Sequence, residues 1–344
     1  MPPRYTIRLA LSIPSSPVRW PRGWKPALIV VIDTEEEFDW TAPLDREATS
    51  VRAMAHAGRA QRIFDEFRIR PTYVVDYPVA SQPDGYGPLR DIFNDGRCDI
   101  GAHLHPWVNP PHEEEVSLYN SYAANLPLPL AAEKLRRLGE AIEANLGQKP
   151  RAYKAGRYGI GDTMIPLLKD LGYQVDLSMA PPFDYSSDGG PDFSQFPSDC
   201  HWMGEGTDLL GIPTTGAFAG WAHRAAPALY RAATGRLGSR LRAAGLLARA
   251  GAVDRLRLSP EEFTHAEHRK LTRFLLDRGA GVLTFSFHSP SLDPGRTPYV
   301  RSEADLSSFL DSLRRYFDYF FGEVGGRAMT AVEVKLLLES EKPS

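Results

Sequence analysis

Sulfur, long apolar runs and an excess of either charge are what this chain has least of. Among its 344 residues are only two cysteines, Cys98 and Cys200. Neither falls in a C-x-x-C pair, which excludes a zinc knuckle or a disulfide-stapled scaffold and predicts two free thiols. No segment is uniformly apolar for the ~20 residues that a membrane-spanning helix needs; even the Ala/Leu-rich stretch after Trp221 is studded with arginine. The apolar run within Met1 to Pro14 is too short and too interrupted for a signal-peptide core, so the cytoplasm is the default location. With 40 Lys and Arg against 43 Asp and Glu, the formal net charge is −3, which argues against a nucleic-acid-binding protein. Internal repeats and low-complexity linkers are also absent.

What is present is a rhythm. Short apolar or β-branched runs, Ala27 to Asp33, Pro71 to Asp76, Cys98 to His105, Arg151 to Ala155, Gln174 to Met179, Leu209 to Thr214, Gly281 to His288 and Ala328 to Thr330, alternate with helical patterns. The helices are expected over Met54 to Phe67, Leu130 to Leu146, Gly161 to Gly172 and Glu261 to Asp277. A βαβα order predicts a mainly parallel sheet covered by helices, and about seven or eight repeats close it into a barrel. One region breaks the order. From His223 to Leu258 the chain is rich in Ala, Leu and Arg (Arg224, Arg231, Arg236, Arg240, Arg242, Arg249, Arg255, Arg257), and Asp254 is its only acid. It reads as a helical insertion, spanning 222–260, whose arginines form a solvated face; a grip on an acidic polymer or a membrane surface is the alternative.

In parallel barrels the reactive groups gather at the carboxyl ends of the strands. The polar residues here obey that rule. Asp33 and Glu35 end or follow the first run, His103 and His105 the third, Lys154 and Arg157 the fourth, and His288 the seventh. In an extended strand residues i and i+2 share a face, so the H-x-H pair can converge on one ion, and neutral imidazole is a common zinc ligand. A divalent metal, zinc by preference, held by Glu35, His103 and His105 with an open position would activate water and polarise a carbonyl. Asp33 would take the proton as general base, His288 would protonate a leaving amine, and Arg157 or Lys154 would keep Asp33 ionised. A backbone N–H near Tyr158 would complete an oxyanion hole, and Trp107 and Tyr158 are candidate substrate-binding aromatics, as are Trp40, Phe183, Tyr185, Trp202 and Trp221. Glu36, Glu37 and Asp39 read as a solvated loop, His112 with Glu113 to Glu115 as an exposed turn, and His265 and His268 as a surface pair.

Laid in order, Val-Ile-Asp33-Thr-Glu35, Gly-Ala-His103-Leu-His105-Pro-Trp107, Tyr-Lys154-Ala-Gly-Arg157-Tyr158-Gly and Thr-Phe-Ser-Phe-His288-Ser-Pro resemble the polysaccharide deacetylase superfamily, the NodB-homology fold of carbohydrate esterase family 4. Within it the chain looks most like the WalW-type branch. The resemblance implies a distorted (β/α)7-8 barrel over 27–344 with the helical insertion, preceded by an N-terminal extension, 1–26. It also implies metal-dependent hydrolysis of amide C–N bonds in an N-acetylated sugar polymer or its precursor. The first motif departs from the adjacent aspartates of many members, so Asp33 and Glu35 could exchange roles. The histidine spacing is H-x-H rather than H-x-x-x-H, and either Lys154 or Arg157 could match the family's arginine. A silent glycan-binding protein and a metal-free glycosidase using two of Asp33, Glu35, Glu37 and Asp39 are the alternatives.

Overall fold

The computed structural model describes residues 15–340, except 236, 237, 239 and 241. Arg236, residues 1–14 of the expected extension and residues 341–344 lie outside the described residues. Each expected run forms a strand close to its place: β2 (Ala27–Thr34), β3 (Thr72–Val75), β4 (Asp99–Leu104), β5 (Ala152–Ala155), β6 (Val175–Asp176), β8 (Leu210–Gly211), β11 (Val282–His288) and β12 (Arg327–Ala328). Seven of them are parallel neighbours in the order β8-β6-β5-β4-β3-β2-β11, and β12 also pairs with β2. No ladder joins β11 back to β8 among the described residues. Side chains close that gap instead: Thr284 Oγ1 donates to Pro213 O at 2.9 Å, and Thr284 N donates to Thr215 Oγ1 at 2.7 Å. Ser286 N adds a bond to Leu258 O at 3.2 Å. The result is the distorted barrel the sequence led us to expect.

Period-two alternation divides the barrel into an outer and an inner apolar layer. Leu28, Val30 and Ile32 of β2, Ile100, Ala102 and Leu104 of β4, and Leu283, Phe285 and Phe287 of β11 pack outward with the helices. Ala27, Ile29, Val31, Ala152, Val175, Leu210 and Val282 form a second cluster inside. The C-terminal helix Ala331–Ser340 buries Ala331, Val332, Val334 and Leu338 in this inner cluster. Trp20 and Trp24 pack against the same cluster, and Trp24 Nε1 donates to Gly281 O at 2.8 Å. Residues 15–26 therefore belong to the barrel's base, and β1 (Ser15–Pro17) pairs antiparallel with β7 (His201–Met203).

Helices follow their apolar periodicity. Leu128–Leu146 buries Leu130, Leu135, Leu138, Ile142 and Leu146 and stops at Gly147, whose φ of 80° is the left-handed conformation that favours glycine. The expected helix from Glu261 begins later, at His265, because Thr264 and Glu267 form a capping box. His268 of that helix is buried rather than on the surface, with Nε2 2.8 Å from Ser259 O.

The insertion is only partly helical. It contains Ala226–Thr234 and Ala243–Arg249, then returns as β10 (Asp254–Arg257), antiparallel to β9 (Gly216–Ala219). The arginine-rich composition hid this strand, whose only fully buried residue is Leu256. Cys98 and Cys200 are free and buried, and no described helix is long and apolar enough to cross a membrane.

Candidate active site

The alternation that buries the strands also builds the site. Asp33 continues the inward series Ile29, Val31, and His103 the series Asp99, Gly101; Lys154 follows Ala152 and His288 follows Ser286. Strand register brings them level: His288 lies opposite Asp33 across β11 and β2, and His103 lies opposite Lys154 across β4 and β5. All four stand at the carboxyl ends of their strands, and Asp33, His103 and His288 line one cavity of about 370 Å³ together with Glu35, His105, Trp107, Tyr158 and Arg157.

Glu35 Oε2 lies 3.5 Å from His103 Nε2 and 3.4 Å from His105 Nε2. Ligands about 2.0–2.1 Å from a tetrahedral zinc are separated by roughly 3.3–3.4 Å, so Glu35 stands near that spacing from both imidazoles, and the three ligand atoms all lie within 4.8 Å of one another. The other ring nitrogens are occupied: His103 Nδ1 pairs with Lys154 O at 2.9 Å and His105 Nδ1 with Glu36 Oε2 at 2.7 Å. Protons held at both Nδ1 atoms leave the Nε2 lone pairs facing Glu35. Burial drives both imidazoles down, His105 to about 4, so both are neutral ligands at neutral pH. Burial, then the carboxylates of Glu36, Asp33, Asp76 and Glu261, pushes Glu35 well above the usual range, and its Oε1 is buried without a hydrogen-bond partner. A divalent cation fits this donor set, because it would satisfy the orphaned oxygen and the crowded negative charge together.

Glu36 corrects the sequence reading. It is fully buried rather than in a solvated loop, and its N–H donates to Asp76 Oδ2 at 2.7 Å. Asp76 in turn caps the helix Tyr77–Ser81 through Val79 N. Burial raises Glu36 to about 7, and burial with the neighbouring Glu36 carboxylate raises Asp76 well above its usual range. Glu37 is tied up by Ala53 N, Ser50 Oγ and Arg296. His112 is exposed as expected, but Glu114 is not: it pairs with Lys134 Nζ at 3.1 Å. Lys134, fully buried, also donates to the carbonyls of Pro106, Asn109 and Pro111, and so fixes the loop after His105.

Opposite the histidines, Lys154 Nζ donates to both Asp33 oxygens, at 2.6 and 2.7 Å. Burial would raise Asp33, but Lys154, with His103 and His288, holds it below its usual value. Arg157 points elsewhere, to Tyr122 OH and Asp188 Oδ2, each at 3.0 Å. His288 Nε2 is 3.7 Å from Asp33 Oδ2, while its Nδ1 is 2.8 Å from Glu261 Oε2. Burial opposes the charge on this imidazole; Glu261 and then Asp33 outweigh it and raise the group above its ordinary value. Glu261 is held by His288 N and Ser291 Oγ. No motif pointed to it.

Of the expected aromatics, Trp107 is 2% exposed and stacks on His105 at 4.3 Å, so it orients a ligand imidazole more than it offers a free face. Trp40, Tyr158 and Tyr185 line the cavity, and Trp40 meets the His288 ring edge at 5.0 Å. Trp202 lies in the inner core, and Trp221 is 76% exposed outside the cavity lining. Arg157 and Tyr158 both have positive φ, 52° and 61°, the kind of backbone strain held in place at functional loops.

No protein-family model and no curated protein matches the chain. Solved structures do. A Mycobacterium smegmatis protein assigned as a polysaccharide deacetylase aligns over 97% of this chain and 96% of its own, with a TM-score of 0.57 and 18% identity. The fold is that of the polysaccharide deacetylases. A Parabacteroides distasonis protein assigned as a glycoside hydrolase/deacetylase shares the fold over 93% of this chain and 73% of its own, with a TM-score of 0.53 and 13% identity.

Gly156 tests how tightly the ligand frame is set. A Cβ there would collide with the His105 ring and with Leu104 O. Gly156→Ala is expected to turn His105 and weaken metal binding by roughly tenfold or more, while thermal unfolding stays cooperative; a calorimetric titration giving the wild-type affinity would show that His105 does not depend on this contact.

Proposed function

We propose that the chain is a metal-dependent deacetylase that hydrolyses the amide of an N-acetylated sugar polymer or its precursor. The observation that carries this reading is the Glu35, His103, His105 face set across one cavity from two oppositely tuned dyads, Lys154–Asp33 and Glu261–His288. The WalW-type assignment rests on the four sequence motifs. A zinc ion suits a two-imidazole, one-carboxylate set and, when bound, supplies Lewis acidity at that vertex.

The chain's own residues do the rest. Asp33, kept ionised by Lys154, accepts a proton from the attacking water. His288, oriented by Glu261 and shifted by it toward the protonated form, faces the cavity through Nε2 and delivers a proton to the departing amine, which is too basic to leave as an anion. Lys154, rather than Arg157, is the orienting cation, and Glu35 rather than Asp33 completes the ligand face. Trp40 and Tyr158 offer apolar ring surface for the C–H faces of a sugar.

Asp33→Asn keeps the shape but not the basicity. It is expected to retain stoichiometric metal and lose turnover of an N-acetylated oligosaccharide by about a hundredfold or more. Loss of metal along with turnover would make Asp33 a ligand instead.

The acid role of His288 predicts that activity falls as pH rises through a pKa above 6.5, the ordinary imidazole value from which this group is raised. Glu261→Gln removes the largest influence that raises it and should move this basic limb to lower pH. His288→Gln should slow amide hydrolysis by about a hundredfold but spare an activated ester, whose leaving group needs no proton. Equal losses on both substrates, with metal content and unfolding unchanged, would exclude His288 as the acid.

A further inference from the structure

The cations around the cavity are paired with carboxylates, with one exception. Lys154 has Asp33 and Arg157 has Asp188. Arg257 has none within 4 Å among the described residues. Its partners are two phenols: NH1 donates to Tyr158 OH at 3.1 Å and NH2 to Tyr185 OH at 2.8 Å. Burial pushes both phenols up to about 12, so neither neutralises the guanidinium at neutral pH. Its Nε is buried without a partner, and two of five N–H donors in the fork are used.

The surroundings hold this charge in place. Alternation along β10 puts Arg255 and Arg257 on one side, and the Phe183 ring lies 4.4 Å from the first guanidinium carbon and 3.9 Å from the second. Tyr158 and Tyr185 stack at 5.3 Å. Arg257 therefore shares the cavity with Asp33 and His288, fixed among rings, with no carboxylate in direct contact and Glu262 acting on it only from beyond ion-pair distance. A part-buried guanidinium with no carboxylate in contact and a buried, unpartnered Nε is left under-satisfied, and a ligand carboxylate would satisfy it through a planar, multiply bonded contact.

We propose that Arg257 selects an acidic substrate: the N-acetylated sugar bound in this cavity carries a carboxylate, and Arg257 receives it. The inference rests on the deacetylase reading and names the substrate class within it. The site is assembled by the insertion, since β10 is the strand with which that segment returns to the barrel.

Calorimetric titration of the full chain, with chelator present so that turnover does not intrude, tests this with two probes. One is a tetrasaccharide alternating N-acetylglucosamine and glucuronate; the other is the neutral N-acetylglucosamine tetrasaccharide. The acidic probe is expected to bind about tenfold more tightly, and Arg257→Gln to bring it down to the neutral level. Tyr185→Phe, which removes a hydroxyl bonded to the guanidinium but not the charge, should keep the preference and so separates charge recognition from collapse of the wall. Equal affinities in the wild type, a preference that survives Arg257→Gln, or no binding of either probe would overturn the proposal. If metal-loaded protein turns over neither probe while the Arg257-dependent preference stands, the deacetylase reading fails and this one does not. Turnover of both with equal affinities removes this one alone.

Discussion

The site depends on one geometric constraint, the two-residue period of strands buried on both faces. In β2, β4, β5 and β11 one alternate set of side chains anchors each strand outward to the helices, and the other set fills the barrel. A slip of one residue in any of them would exchange core and site together, so the apolar packing that stabilises the barrel also locks the register of its reactive groups. Asp33, His103, Lys154 and His288 are the last members of buried inward series, apolar in β2 and β5 and mixed in β4 and β11. Their placement therefore comes from the packing of residues that take no part in chemistry.

Within that frame the electrostatics are divided. On one side three buried carboxylates, Glu35, Glu36 and Asp76, lie close together with two neutral imidazoles, an arrangement that repels further negative charge and attracts a cation. On the other, Lys154 favours the ionised form of Asp33 while Glu261 favours the protonated form of His288. Two titratable groups 3.7 Å apart are thus pushed in opposite directions from their ordinary values, which suits a proton acceptor facing a proton donor. Glu36 connects the two themes, because it both adds charge to the cluster and holds the His105 proton on Nδ1.

Much of this was legible in the sequence wherever strands carried the information. The apolar runs located the barrel strands to within a few residues, and the H-x-H spacing placed both histidines on one face. The choice between Lys154 and Arg157 was decidable in principle, since Lys154 lies within the strand and Arg157 lies past its end with left-handed backbone. Glu36 was missed because parity stops informing once the chain leaves β2. Glu261 and Arg257 were missed for a different reason: they reach the cavity only because the insertion folds back as β10, and a strand reading Asp-Arg-Leu-Arg carries no apolar alternation strong enough to reveal itself. The same composition made a recognition strand look like a solvated helical face.

The central claim is that Glu35, His103 and His105 form one face of a metal site. X-ray absorption at the zinc edge of protein loaded with one equivalent of zinc tests it directly. The account predicts two imidazole nitrogens at about 2.0–2.1 Å with the remaining ligands oxygen. A first coordination sphere with one imidazole or none, or with sulfur, would contradict it.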